Sequence, residues 1–351
     1  MLRDLSIQNY RCFKDFQMDG LERVNLFVGN NNSGKTSLLE AICLLSSSNR
    51  KKSLFDIIDN RISYYRHNYR AFYSMYSLFY QYDTEENNVI IISSKTLNAK
   101  IKIYNHNSHL YCLAKADNIN LIKNNILPTN IEHETEFDIE LINSEFLSLD
   151  FLKSVNLSLP SSQNKNLVWF ITTTKEFFDI IAYTWDSISL TYKEDKVIRA
   201  LKILDSDIER ISFTTAINTE SIKLKKRNYN IPVPISSMGE GMYRMLTLAM
   251  SLVTAENGVL LVDEIETGLH YEAQTDMWRL ILETAKELNV QVFATTHSWD
   301  CIAAFQEALS QVEDSSIGKL FRLDSKYGKL RAVEYDADDL EIATREGIEV
   351  R

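Results

Sequence analysis

The sequence has few cysteines, few prolines and no long apolar run, and these shortages exclude several classes of protein. The four cysteines among 351 residues are widely scattered, and no pair has the spacing of a metal site, so they are predicted to be reduced thiols in the core. No apolar run approaches the roughly 20 residues that cross a bilayer. Residues 1–6 carry charge where a secretion signal would be apolar. The sequence therefore predicts a cytoplasmic protein with no membrane partner.

Positive charge is also in short supply. Lysine and arginine number 38 against 48 aspartate and glutamate residues, which gives a formal net charge of -10. An acidic chain does not attract nucleic acid through its overall charge, so any DNA contact needs a local basic patch. The densest cluster of basic residues, here called the basic patch, consists of Lys223, Lys225, Lys226 and Arg227. It is either an edge that contacts phosphates or the solvated face of a strand.

A phosphate-loop motif is the most informative feature that is present. Gly29–Thr36 matches the pattern G-x-x-x-x-G-K-[ST] at every fixed position. Glycines let such a loop curl so that backbone N–H groups point at a polyphosphate, Lys35 places a cation on the β- and γ-phosphates, and Thr36 offers a hydroxyl to Mg²⁺. Arg23–Val28 has the pattern of a buried strand, and Thr36–Leu45 that of a helix whose N-terminus attracts anions. The residues predicted to hold a nucleoside triphosphate are Asn30, Asn31, Asn32, Ser33, Gly34, Lys35, Thr36 and Ser37.

Two carboxylates follow an apolar strand in the last third of the chain. The strand Val259–Val262 leads directly into Asp263 and Glu264. Asp263 stands where an acid can hold Mg²⁺ through its waters, and Glu264 can polarise a water for in-line attack on a γ-phosphate. The phosphate loop upstream favours this interpretation over two solvated acids in a turn. The sequence thus predicts nucleotide hydrolysis in which Glu264 and Lys35 are catalytic.

Two further stretches allow two interpretations each. Ser236–Gly241 opens a helix, where a hydroxyl, backbone N–H groups and the helix dipole can form a second anion site, or where Ser237 can simply cap the helix. His297 follows a buried strand, so it can hydrogen-bond a γ-phosphate or serve as a structural histidine.

Strands and helices alternate at both ends of the chain, which indicates a mainly parallel sheet covered on both faces. Alternating apolar residues in Leu2–Gln8 and Phe13–Met18 predict an antiparallel sheet at the N-terminus. The middle is strand-rich and carries no motif with a known chemistry. We therefore predict an α/β nucleotide-binding domain from residues 1–50 and 230–351, with an inserted α+β lobe at 51–229.

These stretches, in this order and at these intervals, resemble the ATP-binding-cassette (ABC) class of ATPases. The similarity is greatest to the branch that holds the SMC proteins, RecF and the overcoming-lysogenization-defect (OLD) nucleases. The pattern D-E-x-E-x-G-L-H is similar to that of stand-alone OLD-type AAA-family ATPases. The resemblance covers residues 1–45 and 230–351 well and the middle weakly. It rests on Leu5–Phe13, Gly29–Thr36, Ser236–Gly241, Asp263–His270, Thr295–Ser298, Phe321–Leu323 and Gly347–Arg351.

The resemblance implies roles that spacing alone does not give. Ser237, Gly239 and Glu240 correspond to the signature motif, which contacts the γ-phosphate of ATP held by the opposite subunit. A homodimer, or a higher even oligomer, is then expected to sandwich ATP and Mg²⁺ between heads. His297 corresponds to the switch histidine and is expected to take part in catalysis.

Three more positions are assigned by the same resemblance. His270 stands where many relatives have an aspartate at the dimer seam. Arg11 corresponds to a basic residue that supplements the phosphate contacts. Gln81 is the candidate for the glutamine that binds Mg²⁺, although no motif marks it and a glutamine in a surface loop fits equally well.

The segments that accompany the ATPase head in similar proteins limit the functions expected of this chain. The segment between the head halves is too short for the long arms of an SMC protein. OLD nucleases continue into a metal-dependent TOPRIM domain, whereas only 54 residues follow His297 here, so the chain is not expected to cut nucleic acid. The D-x-D at Asp336 and Asp338 is interpreted as the solvated start of a helix.

Three functions remain as hypotheses. The first is a stand-alone OLD-type ATPase that acts as sensor or motor for a separate effector, such as a TOPRIM-type nuclease, in defence against phage. The second is a RecF-like DNA-repair ATPase that clamps DNA with its inserted lobe. The third is a nucleotide-gated scaffold that barely hydrolyses ATP. The acidic charge and the D-E-x-E-x-G-L-H pattern favour the first.

Overall fold

The computed structural model describes both ends of the chain and parts of its middle. The described residues are 1–47, 53–54, 56–57, 77–83, 88–97, 99–106, 109–116, 135–139, 168–173, 178–216, 219–326 and 329–351. They divide into two compact units. The first unit comprises Met1–Leu21, Asn30–Leu167 and Leu323–Val333, and the second comprises Glu22–Gly29, Val168–Arg322 and Glu334–Arg351.

Strands and helices alternate along the chain. The strands are β1 (Leu5–Tyr10), β2 (Phe13–Met18), β3 (Val24–Val28), β4 (Ile90–Ser94), β5 (Ala99–His106), β6 (His109–Ala116), β7 (Thr135–Ile139), β8 (Val168–Ile171), β9 (Ile208–Ala216), β10 (Thr219–Lys226), β11 (Val233–Pro234), β12 (Val259–Val262), β13 (Gln291–Thr295), β14 (Gly318–Lys326) and β15 (Lys329–Tyr335). The longer helices are α1 (Lys35–Ser46), α2 (Phe178–Ile188), α3 (Tyr192–Leu204), α4 (Glu240–Thr254), α5 (Tyr271–Glu287), α6 (Trp299–Ser310) and α7 (Ala337–Glu346).

An antiparallel sheet of six strands forms much of the first unit, in the order β2-β1-β4-β5-β6-β7. Its register places Ile7 opposite Ile92 and Ile92 opposite Ile101, so these side chains share one face. All three are buried. Helix α1 contacts β4 and β5 and buries an apolar face that includes Leu38 and Ile42. The apolar alternation thus gives the sheet a core face on which α1 packs.

A largely parallel sheet runs through the second unit in the order β15-β14-β3-β13-β12-β8, and β14 and β15 belong partly to each unit. Every residue of β3 and β13 is buried, as expected for central parallel strands covered on both faces. The register aligns Val262 with Ala294 and Ala294 with Leu26. The carboxyl ends of β12, β13 and β3 therefore lie at the same edge of the sheet, where ligands of such sheets bind.

The helices of the second unit pack into one apolar core. Helix α5 packs against α6, and the rings of Trp278 and Phe305 lie 4.7 Å apart between them. Helix α4 packs against α2, α3 and α5 and buries most of its length. A small sheet of three strands, in the order β11-β10-β9, leads into α4. No helix within the described ranges combines the length and the apolarity that crossing a membrane requires.

Two of the predicted core thiols are confirmed. Cys43 and Cys301 are free and buried. Burial raises the pKa of each thiol to about 12, so both stay protonated near neutral pH. The side chain of Cys112 lies outside the described part of the chain.

The predicted α/β class, with a mainly parallel sheet and an antiparallel N-terminal sheet, is confirmed. The middle of the chain differs from the single inserted lobe predicted at 51–229. Strands β4 to β7 extend the N-terminal sheet, whereas β8 is an edge strand of the parallel sheet beside β12. Helices α2 and α3 pack against α4 of the head. A run of four residues such as Val168–Ile171 cannot be assigned to a sheet from its own sequence, because its partner strand is far along the chain.

Candidate active site

The phosphate loop begins at Gly29, at the end of β3, and continues through the first unit into α1. Positive φ angles at Gly29 (148°), Asn32 (61°) and Gly34 (92°) turn the backbone repeatedly. The Ser33 N–H donates to the Asn30 carbonyl at 3.1 Å, and the Lys35 ammonium donates to the same oxygen at 3.0 Å. The loop is therefore a closed turn that holds its lysine beside the backbone.

Gly34 cannot be replaced without strain. Besides its positive φ, a Cβ at this position would lie 2.5 Å from the Cys12 Sγ and 3.1 Å from the Phe13 Cζ. The corner between β1 and β2 thus packs directly on the loop. The Ser33 Oγ is buried and has no hydrogen-bond partner among the described residues. A hydroxyl in that state suits an oxyanion ligand, because a buried donor without a partner is costly.

Arg11, predicted to supplement the phosphate contacts, is engaged by other groups. Its Nε lies 2.7 Å from the Glu40 Oε2 of α1, and its Nη1 donates to the Ser77 Oγ at 3.1 Å. The Tyr10 hydroxyl donates to the same Glu40 oxygen at 3.1 Å. Burial alone would lower the pKa of the Arg11 guanidinium, but Tyr10 and Glu40 raise it. These contacts give Arg11 a structural role, and its phosphate role stays a prediction.

Gln81 lies in a single 3-10 turn, Tyr80–Tyr82, with a positive φ of 54° and an exposed side chain. The segment is tied to the corner between β1 and β2, because the Arg11 N–H donates to the Leu78 carbonyl at 2.7 Å and Tyr10 bridges to Phe79. Gln81 therefore combines a left-handed backbone conformation with an exposed side chain. Its role as a Mg²⁺ ligand stays a prediction.

The acidic turn, which we define as Asp263 and Glu264 at the end of β12, is held by Thr295 at the end of β13. The Thr295 hydroxyl donates to the Asp263 Oδ1 at 2.6 Å and accepts from the Glu264 N–H at 2.9 Å. Glu264 adopts a left-handed φ of 47°, which is unusual for a residue with a long side chain. The Asp263 carboxylate is nearly buried, whereas 41% of the Glu264 side chain is exposed. The turn thus presents one oriented acid and one accessible acid.

Arg244 of α4 supports the acidic turn from behind. Its Nη2 donates to the carbonyls of Asp263 and Glu264 at 2.8 and 3.3 Å, and its Nη1 donates to the Thr172 carbonyl at 2.7 Å. The guanidinium is buried. A planar cation with several donors is well suited to gather converging carbonyls. Sequence analysis missed this residue, because nothing local in α4 marks an arginine that faces the core.

The signature segment, Ile235–Gly239, forms a 3-10 turn followed by Gly239 with φ of 87°. Helix α4 begins at Glu240, and Gly239 occupies its N-cap position without a side-chain bond. The Ser237 hydroxyl instead donates to the Pro234 carbonyl at 2.7 Å. The interpretation of Ser237 as a plain helix cap is therefore wrong. Ser237, Gly239 and Glu240 are all exposed, and a Cβ at Gly239 would meet open space.

The turn after the acidic residues packs on the start of α4. A Cβ on Gly241 would lie 2.5 Å from the Gly268 carbonyl oxygen, so the two backbones touch. His270, two residues further on, precedes α5 with its ring 4.4 Å from that of Tyr271. Both rings are exposed. The signature segment and His270 thus belong to neighbouring parts of one surface of the second unit.

His297 lies beside the accessible acid of the acidic turn. Its Nδ1 is 3.6 Å from the Glu264 Oε1 and 3.5 Å from the Glu266 Oε1, and 54% of its side chain is exposed. Its backbone N–H donates to the same Glu266 oxygen at 3.3 Å. The structure therefore brings together Glu264 and His297, the two residues that were predicted to be catalytic. Sequence reasoning did not single out Glu266, and its place in the D-E-x-E motif, two residues after Glu264, was the available signal.

The D-x-D at the end of the chain is the start of a helix, as interpreted. The Asp336 carboxylate accepts from the Asp339 N–H at 2.9 Å, and the Asp339 carboxylate accepts from the Asp336 N–H at 3.4 Å. This reciprocal pair is a capping box at the N-terminus of α7.

Several known proteins are similar to this chain. Residues 24–300 match the family described as "AAA domain, putative AbiEii toxin, Type IV TA system". The chain belongs to this family. A relative of this AAA-domain chain, the ATP/GTP phosphatase of Helicobacter pylori (strain ATCC 700392 / 26695), is 26% identical over 368 residues, which cover 93% of the chain and 94% of the relative.

Two further similarities bear on the branch within the class. The DNA replication and repair protein RecF of Leptospira interrogans (strain Fiocruz L1-130) is 51% identical over 45 residues, which cover 13% of the chain and 12% of RecF. A crystal structure of the Smc head domain with an extended coiled coil, bound to the C-terminal domain of ScpA and derived from Pyrococcus furiosus, superposes with a TM-score of 0.52 at 11% identity and covers 99% of both chains. The AAA-domain chain therefore has the fold of an SMC-like ATPase head. The ABC-type class is confirmed at that level, and the OLD branch stays a prediction.

Replacement of Arg244 by methionine tests the support of the acidic turn. The variant leaves buried carbonyls without their donor, so we expect it to lose roughly 3 kcal/mol of stability and to lower the rate of ATP hydrolysis. Urea unfolding and a steady-state hydrolysis assay measure both effects. Arg279→Met, at a half-exposed arginine of α5 that pairs with Asp276 and donates to Gln311, is the matched control and should change stability by less than about 0.5 kcal/mol. Equal unfolding midpoints for the two variants would contradict the role of Arg244.

Proposed function

We propose that this protein is an OLD-type ABC ATPase that dimerises around ATP and controls a separate effector. The observation that carries the proposal is the meeting of Glu264 and His297, 3.6 Å apart, at the edge of the sheet where β3 leads into the phosphate loop. An accessible carboxylate next to an accessible imidazole is suited to moving a proton and contacting a phosphate. The name of the Helicobacter pylori relative, an ATP/GTP phosphatase, supports nucleotide hydrolysis as the reaction.

The phosphate loop is proposed to bind the triphosphate through the backbone N–H groups of Asn30–Gly34, the Lys35 ammonium and the start of α1, with Ser37 in the first turn. For Mg²⁺, the proposed ligands Thr36 and Asp263 both offer oxygen atoms, the donor type that this ion takes. The Asp263 carboxylate is oriented by Thr295, which favours a metal role over a proton-transfer role. When bound, Mg²⁺ supplies positive charge that neutralises the phosphates. Gln81 is proposed as a further ligand.

Hydrolysis is proposed to follow in-line attack by water. Glu264 accepts a proton from the water, whose oxygen forms a bond to the γ-phosphorus while the bond from that phosphorus to the β,γ-bridging oxygen breaks. Lys35 and His297 stabilise the charge that develops on the phosphate oxygens. The products are ADP and inorganic phosphate. The exposure of Glu264, in contrast to the buried Asp263, supports Glu264 as the group that meets the water.

A second copy of the chain is the proposed partner at the signature segment. Ser237, Gly239 and Glu240 are exposed, and the Gly239 backbone faces open space. A serine, backbone N–H groups and a helix N-terminus that face outward are suited to an anion brought by another molecule. His270 and Tyr271 lie exposed next to this segment and are proposed to form the seam of a dimer or of a higher even oligomer.

The output is proposed to be control of an effector, such as a TOPRIM-type nuclease, in defence against phage. The Smc head that shares this fold is bound to a partner protein, ScpA, which supports partner binding as a use of the fold. The mechanism we envisage is that ATP-dependent pairing of heads creates or hides the binding surface of the effector. A cytoplasmic location goes with this role.

A RecF-like role in DNA repair is the second candidate, because a RecF protein matches over a short stretch. The basic patch gives it little support. Lys226 pairs with Asp205 at 2.6 Å, Arg227 lies 3.9 Å from Glu209, and the Lys225 ammonium donates to the Tyr229 carbonyl. Acids therefore offset the charge of two of the four cations that DNA would contact. The third candidate, a scaffold that barely hydrolyses ATP, differs from the first in its turnover rate.

Replacement of Glu264 by glutamine tests the proposed function. The variant keeps the shape of the side chain but cannot take a proton, so we expect hydrolysis to fall by about 10²–10⁴-fold while ATP binding persists. The ATP-loaded form should then accumulate as a dimer in light scattering. Glu283→Gln, at an exposed glutamate on α5, is the charge-matched control and should leave rate and mass unchanged. A monomer at saturating ATP and Mg²⁺ would count against the two-head mechanism, and wild-type protein without turnover would favour the scaffold.

Addition of duplex DNA separates the first two candidates. We expect the hydrolysis rate to change by less than about twofold, because two of the four cations of the basic patch are paired with acids. The assay compares wild-type protein with Lys223→Ala at 50 and 200 mM salt. Strong stimulation that falls with salt and with the loss of Lys223 would contradict this expectation and favour DNA repair.

A further inference from the structure

The corner between β1 and β2 carries a buried ion pair that the proposed chemistry does not use. The Arg11 Nε lies 2.7 Å from the Glu40 Oε2, and the two side chains are only 6% and 4% exposed. The Tyr10 hydroxyl donates to the same oxygen, and the Tyr10 ring lies 5.6 Å from the guanidinium carbon. Because taking two charges out of water is costly, stability alone does not explain an ion pair at this place.

The ion pair lies next to the phosphate loop along the chain and in space. Glu40 belongs to α1 and follows Thr36 by four residues, so both side chains leave the same face of that helix. A Cβ on Gly34 would lie 2.5 Å from the Cys12 Sγ, so the corner also packs on the loop itself. The corner is therefore fixed both to the phosphate loop and to the helix that starts there.

The corner is also bound to the segment of residues 77–83, which carries Gln81. The Arg11 Nη1 donates to the Ser77 Oγ at 3.1 Å and to the Ser77 carbonyl at 3.3 Å. The Arg11 backbone N–H donates to the Leu78 carbonyl at 2.7 Å. A single guanidinium thus joins the start of this segment to a carboxylate of α1.

These contacts leave Arg11 poorly placed to serve as a phosphate ligand. Its Nε faces the Glu40 carboxylate, its Nη1 is bonded to Ser77, and little of the side chain reaches solvent. A carboxylate against the guanidinium also weakens its attraction for a second anion. The backbone of Arg11 is held in a left-handed conformation with φ of 52°, which is typical of a position that its surroundings determine.

We propose that Arg11 is a positioning residue which, through Glu40, fixes residues 77–83 and with them Gln81 to the helix that starts at the phosphate loop. This inference rests on the proposed function in one respect, because the role of Gln81 as a Mg²⁺ ligand belongs to that function. It also predicts a property of the nucleotide-free protein, namely how firmly residues 77–83 are held.

Hydrogen–deuterium exchange of the nucleotide-free full chain measures how often residues 77–83 detach. In Arg11→Met we expect their amides, which include the Tyr82 N–H bonded to the Phe79 carbonyl, to exchange about tenfold faster, because the charged bonds of Arg11 are lost. The amides of β13, in the second unit, should keep their wild-type rates. Lys14→Met, at an exposed cation of β2, is the matched control and should change neither region. Wild-type rates at 77–83 in Arg11→Met, or an equal rise in β13, would overturn the inference.

The variant Glu40→Gln separates positioning from a phosphate contact, because it keeps the Arg11 cation and removes its anchor. We expect it to speed exchange at 77–83 about tenfold, as Arg11→Met does. Both variants should bind ATP within about threefold of the wild-type affinity in calorimetry, since the phosphate loop supplies the phosphate contacts. A loss of about tenfold or more in Arg11→Met alone would show a phosphate contact and contradict the inference.

The Mg²⁺ dependence of hydrolysis gives an independent readout. The Mg²⁺ concentration for half-maximal rate should rise about fivefold in Arg11→Met, because a misplaced ligand binds the ion less well. In the Gln81→Ala background the same change should raise it less than about twofold, because both residues act through one ligand. Equal rises in the two backgrounds would contradict the link from Arg11 to Gln81.

The variant Ser77→Ala covers a failure of either charge variant to fold. It removes one partner of Arg11 at a half-buried position and leaves the ion pair in place, so exchange at 77–83 should be about threefold faster. A wild-type rate would contradict the inference. The absence of ATP turnover in wild-type protein would contradict the proposed function, whereas exchange in the nucleotide-free protein would still decide the role of Arg11.

Discussion

The hydroxyl of Thr295 holds together the part of the molecule on which the proposed chemistry depends. It donates to Asp263 and accepts from the Glu264 N–H, so one side chain orients both acids. This contact is possible because β12 and β13 are parallel neighbours whose register aligns Val262 with Ala294. A shift of one residue would turn the Thr295 side chain to the other face of the sheet and remove both bonds.

The rest of the second unit supports that contact from several directions. The Asp263 N–H donates to the Ile171 carbonyl of β8 at 2.8 Å, and Arg244 gathers the carbonyls of the acidic turn. These bonds hold Glu264 in a left-handed conformation that its own sequence would not favour. Strain retained at such a position is typical of functional sites. Arg244 lies on the helix that begins directly after the signature segment, so α4 connects that segment to the acidic turn.

Local patterns in the sequence were enough to predict many of the elements that form the fold and the candidate site. The phosphate loop, the helix after it and the strand that leads to Asp263 lie where their motifs indicate, and β2 has the predicted bounds. Each of these features depends on residues close together in the chain. The place of β8 and the contacts of Arg244 depend on residues far apart, which periodicity cannot reveal. The contact between Glu266 and the His297 backbone was hidden for the same reason, because the two residues are far apart in the chain.

Arg11 shows that a residue can stand at the position that a motif predicts without making the contacts that the motif implies. The arginine occupies the expected position, yet its guanidinium lies against Glu40 and Ser77. Ser237 shows that a serine before a helix need not be its cap, since its hydroxyl bonds backwards to Pro234. The same segment is exposed at Ser237, Gly239 and Glu240, and this exposure is what the proposed two-copy site uses.

Complementation between two inactive variants tests most directly whether each nucleotide site is built from two copies of the chain. Lys35→Ala removes the phosphate-loop cation, and Ser237→Arg blocks the signature segment, so each protein alone should fail to hydrolyse ATP. Mixed in equal amounts, they should recover about a quarter of wild-type activity, because half of the dimers are mixed and each of these has one intact composite site. A mixture that stays inactive although light scattering shows mixed dimers, or a Ser237→Arg protein that hydrolyses ATP at the wild-type rate, would contradict a site built from two copies.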